Sequence, residues 1–77
     1  MTNRPLNEIA RDIYADWKNV NYAASPYLKA MCSLDKVTDN YGADTGKSVV
    51  AYFLSNAATW KGPKAKAIKL ELKQLLK

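Results

Sequence analysis

Histidine is absent from the 77 residues. Without an imidazole, neither a Ser-His-Asp nor a Cys-His nucleophile system can be assembled, and the common zinc ligand sets are out of reach. The single cysteine, Cys32, has no internal partner for a disulfide, so a reducing intracellular compartment is expected. No run of about eighteen apolar residues occurs, so no transmembrane helix is predicted. The opening Met-Thr-Asn-Arg-Pro leads into a segment holding Glu8, Asp12 and Asp16, where a signal peptide needs an uninterrupted apolar stretch. A cytoplasmic protein is the expectation.

What is present suffices for a core. Apolar residues make up 48% of a chain whose length allows one domain, spanning residues 1–77 and stable by only a few kcal/mol. The charge is distributed unevenly. Lys61, Lys64, Lys66, Lys69, Lys73 and Lys77 stand against one acid, Glu71, and this end of the chain accounts for the net charge of +5. Residues 1–60 are balanced. A neutral body with a basic end narrows the partners to anionic ones.

Four segments show helical periodicity, and none of four or more residues alternates as a strand. The first, 5–17, carries Leu6, Ile9, Ala10, Ile13, Tyr14 and Trp17 on one stripe, with Asn3 and Pro5 as start signals. Ser25-Pro26 reads as a cap and first turn for a helix over 26–36 with Tyr27, Leu28, Met31, Cys32 and Leu34 inside. A third helix over 45–60, capped by Asp44 or Thr45, has the widest apolar arc and is expected to be the most buried. Gly62-Pro63 ends it and opens the fourth, 63–76, whose stripe is Ala65, Ile68, Leu72, Leu75 and Leu76. The expected fold class is all-α, a compact four-helix single domain with short connections. A faint echo, Trp17-Lys18 and Trp60-Lys61 each closing a helix, would fit a duplicated hairpin.

Gly42-Ala43-Asp44-Thr45-Gly46-Lys47-Ser48 resembles a phosphate-binding P-loop with one residue too few between its glycines. The loop works by curling successive backbone N–H groups around phosphates after a buried strand, and here a turn precedes it. The plain reading is a capped helix start with Gly46 in close packing, alongside weak anion binding at that terminus aided by Lys47. Glu8, Asp12 and Asp16, four apart on one face, read as a solvated face rather than acid–base machinery. Asp39 and Asp44 do not match calcium-loop spacing. No metal or cofactor set is predicted, and no nucleophile–base pair, so the chain is expected to be non-enzymatic. Cys32 reads as a small core residue.

Lys66, Lys69, Lys73 and Lys77 step by three, four and four, within a sector of roughly 80° beside the apolar stripe, and Leu70 borders it. With Tyr41 from a predicted loop, these are the candidate partner-binding residues; Tyr22, in another loop, is the further aromatic candidate for contact. A basic stripe beside an exposed leucine suits an acidic protein groove, a nucleic-acid backbone or a membrane surface, and the bland alternative is a solubilising face. The expected partner is a protein with an acidic surface. Sequence-tolerant nucleic-acid binding is the alternative, lysine being poor at bidentate recognition. Self-association, acidic first helix to basic fourth, is a third reading. No membrane partner is expected.

Asp16-Trp17-Lys18-Asn19, Pro26-Tyr27-Leu28 with Ala30-Met31, Tyr41-Gly42 with Asp44, Tyr52-Phe53-Leu54 with Asn56, Trp60 with Gly62, and Ile68-Lys69 with Glu71-Leu72-Lys73 form a wider pattern. In it the chain resembles a group of short uncharacterised proteins encoded by tailed bacteriophages, nearly throughout from Leu6 onward. The resemblance implies a phage or prophage origin and a small accessory protein expressed in a bacterial host's cytoplasm. It implies no activity, cofactor or site.

Overall fold

Of the six residues stepped by three and four in the first segment, Leu6, Ile9, Ala10 and Ile13 are buried on one face of α1, Leu6–Asp16, and Trp17 is buried just past its end, whereas Tyr14 is 40% exposed. The structure is a computed structural model describing residues 4–76; of the two expected start signals Pro5 immediately precedes α1 and Asn3 lies outside the described residues. After α1 come α2 (Ser25–Met31), α3 (Gly46–Ser55) and α4 (Pro63–Leu75). A two-strand hairpin, β1 (Asn40–Tyr41) with β2 (Asp44–Thr45), stands between α2 and α3 and pairs antiparallel, Asn40 opposite Thr45. Helix α1 packs on α2 and on α4, and α2 packs on α3.

The helix boundaries differ from the sequence expectation where the backbone is needed elsewhere. Helix α2 was expected to reach residue 36 and stops at Met31. The Leu34 and Asp35 carbonyls instead accept the N–H groups of Asn7 and Leu6, each at 2.9 Å, and Asn7 Nδ2 also donates to Leu34 O. An α-helix leaves its first N–H groups without partners, and those of Leu6 and Asn7 find theirs in this irregular segment. Cys32, expected in the core, is therefore exposed on the turn that leaves α2. Ser25 is not the side-chain cap: Asn21 Oδ1 accepts from the N–H groups of Ala23 and Ala24 and shapes the entry to α2.

The start of α3 is organised in the same way. Gly46 N donates to Asp39 O and Lys47 N to Val37 O, while Thr45 Oγ1 accepts from Ser48 N at 3.1 Å. Thr45 is thus the cap. A Cβ on Gly46 would lie 2.7 Å from the Lys36 carbonyl oxygen and 2.9 Å from Val37 Cα, so only glycine fits there. These N–H groups are taken up by the chain's own carbonyls, in keeping with a capped helix start and a closely packed Gly46 rather than a phosphate cradle.

Helix α3, expected to reach residue 60, ends at Ser55. Ala57 and Trp60 are buried as predicted but arrive through a turn, Trp60 N donating to Ala57 O. The turn lets the Trp60 indole stack on Trp17, centroids 5.7 Å apart and planes at 8°, while both meet the Phe53 ring edge-on. Stacked and edge-on aromatic pairs add roughly 0.5–1.5 kcal/mol beyond their burial. On α3, Val49, Val50 and Phe53 are buried, whereas Tyr52 is 52% exposed and stacks at a tilt on Tyr27, so the arc is narrower than expected. Gly62, at φ +118°, makes the corner into α4, where Ala65, Ile68 and Leu72 are buried and Leu75 and Leu76 pack against the core. No described helix is long and apolar enough to cross a membrane.

Candidate functional site

Helix α4 buries its apolar stripe against α1, which fixes where its lysines go. Lys64, Lys66 and Lys73 are exposed, and so is Leu70, at 57%. Leu70 lies four residues after Lys66 and three before Lys73, so the three side chains share one face. Proline at the first helical position and glycine before it give α4 a start that needs no side-chain cap.

Lys69 departs from the predicted stripe. Its Nζ donates to the Trp60 carbonyl at 2.6 Å and lies 5.8 Å from the Trp60 ring centroid. Burial holds its pKa below the usual lysine value, with Lys73 and Lys61 adding repulsion. The ammonium thus ties α4 to the corner that precedes it and is not a free contact. Lys77 lies outside the described residues. Tyr41 is 45% exposed on β1, and no described hydrogen bond or ring contact joins it to α4. Tyr22 is 91% exposed in the α1–α2 connection.

The one acid of α4 is turned inward. Glu71 receives a two-pronged hydrogen bond from Arg4, Nε to Oε2 at 3.0 Å and Nη2 to Oε1 at 2.8 Å. Arg4 Nη1 donates to Asp12 and lies 4.0 Å from Glu8. These contacts raise the Arg4 pKa, the Glu71 bond most; the Arg4 bond holds the Asp12 carboxyl below its usual range, and Lys64 adds to that. Asp16 accepts the Trp60 indole N–H at 2.8 Å. Two of the three acids expected on a solvated face therefore accept hydrogen bonds within the chain, and the third, Glu8, is at ion-pair distance from Arg4. Arg4 and Glu71 escaped sequence reasoning: their separation of 67 residues leaves no local signal, and a lone acid among lysines was the only hint.

An open depression of about 450 Å³ adjoins the lysine face, lined by Gly62, Pro63 and Ala65 with Trp60 and by Lys61, Lys66 and Lys69. A second cleft of about 390 Å³ lies between Pro5, Leu6, Val37 and Leu75, with Arg4, Asp35 and Lys36 at its edge. Among the described residues no group of three or more potential metal ligands comes together. No protein-family model matches the chain, and neither a curated protein nor a solved structure shows significant similarity to it.

Proposed function

We propose that the chain is a non-enzymatic binding protein whose outward α4 face, Lys66, Leu70 and Lys73, docks on an acidic surface of another protein. The observation that carries this reading is Leu70, 57% exposed between two exposed lysines while the helix's only acid faces inward. An apolar anchor that loses its water at the centre of a contact supplies affinity, and surrounding cations supply steering and selectivity. An accessory role in a phage-infected bacterium belongs to the same proposal and rests on the resemblance alone. Affinity capture with the wild-type chain and with K66E/K73E tests it. The partner is expected to be lost with the double reversal, and its retention overturns the assignment.

Nucleic-acid binding is the second reading, favoured by exposed Lys61, Lys64, Lys66 and Lys73 with no hydrogen-bonded acid among them. Neutralising four phosphates gives a slope of log K against log salt of roughly −4. Anisotropy of labelled single- and double-stranded oligonucleotides at low and near-physiological salt measures it, and a flat response excludes the reading.

A further inference from the structure

We infer that the depression between the Trp60 corner and the first two turns of α4 receives an apolar side chain presented by an acidic peptide segment. This deepens the protein-binding reading of α4 and rests on it. Gly62 and Pro63, both exposed, line the depression together with the buried Ala65 and Trp60, and about 450 Å³ of open space accommodates one large aliphatic or aromatic side chain. The corner is uncovered: a Cβ built on Gly62 meets no atom within 4 Å.

Charge identifies the occupant. Lys61 and Lys66, both exposed, line the depression, and the first turn of α4 holds no acid to offset them. That turn also presents the positive end of the helix dipole to the same space. Lys69, also in the lining, is held in place by its bond to the Trp60 carbonyl. A segment with carboxylates beside an apolar residue matches an apolar lining that carries two exposed cations. A nucleic acid matches it less well, because the Trp60 ring is 2% exposed and offers no face for a base to stack on.

The test uses two acetylated, amidated nonapeptides with four acidic residues on each side of a central leucine or alanine, titrated into the 15N-labelled chain. The leucine peptide is expected to shift the Trp60 indole N–H and the Gly62 and Ala65 amides. It should bind at least about tenfold more tightly than its alanine twin, as burying an isobutyl group requires. K61E/K66E, two exposed positions whose replacement should leave thermal unfolding unchanged, is expected to weaken the leucine peptide by more than about tenfold. Equal affinities with shifts confined to Lys66, Leu70 and Lys73 overturn the depression and leave the outer-face reading standing. No shift from either peptide at millimolar concentration overturns this inference alone, since Leu70 and Lys73 of the outer face lie outside the depression's lining.

Discussion

Helices α1 and α4 each carry a row of like charges at helical spacing, and the fold treats the two rows in opposite ways. The acids of α1 are drawn into the structure, Asp12 to Arg4 and Asp16 to the Trp60 indole, while the lysines of α4 other than Lys69 face outward. The difference lies in what comes within reach. Arg4, just ahead of α1, and Trp60, from beyond the end of α3, bring donors to α1, and the single acid of α4 is claimed by that same arginine. Charge spacing along a helix therefore says which residues share a face, and only the packing says whether the face is free.

The largest effect on this contrast should come from W60A. It removes the stack on Trp17 and the donor to Asp16, and large-to-small changes at buried aromatics cost about 3–5 kcal/mol, enough to unfold a domain of this size. Urea denaturation followed by far-ultraviolet circular dichroism would show it, and a loss below about 1 kcal/mol would mean that the corner does not hold the two helices together. R4A comes next, at about 1–2 kcal/mol for a partly exposed, two-pronged, charge-assisted contact.

The same variant sharpens the pH behaviour. Because the folded-state pKa of Asp12 lies below its unfolded value, its contribution is present above the unfolded value, about 3.9, and is lost as pH falls through the folded one. The wild-type chain should therefore lose more stability than R4A between pH 5 and pH 2.5, and parallel curves would remove Arg4 as the cause. Smallest is K69M, within about 1 kcal/mol, since the stem keeps its packing and one hydrogen bond is lost. Its folded pKa lies below the unfolded one, so the wild-type chain gains stability as pH rises through that interval, and K69M should not.

Periodicity sufficed for the four helices and for most of the core, because burial of a stripe is a local demand that three-and-four spacing expresses directly. It overran α2 and α3, where residues such as Leu34, Ala57 and Trp60 are buried without being helical. A residue that reaches the core through a turn has the same hydropathy as one that reaches it from a helix, and only the use of the Leu34 and Asp35 carbonyls by α1 separates the two. The lysine face was legible in Lys66, Leu70 and Lys73. The inward turn of Lys69 was not, since it depends on where the Trp60 carbonyl points.

The parallel indoles of Trp17 and Trp60 also make the molecule its own reporter. Two identical chromophores 5.7 Å apart couple their electronic transitions, and any in-plane rotation of one indole against the other turns that coupling into a paired circular-dichroism band that neither ring has alone. The rings belong to opposite halves of the sequence, so the band is silent for either half folded by itself and appears only when the two meet. A stopped-flow trace of that band, set beside helix formation at 222 nm, would time the joining of the halves without any label.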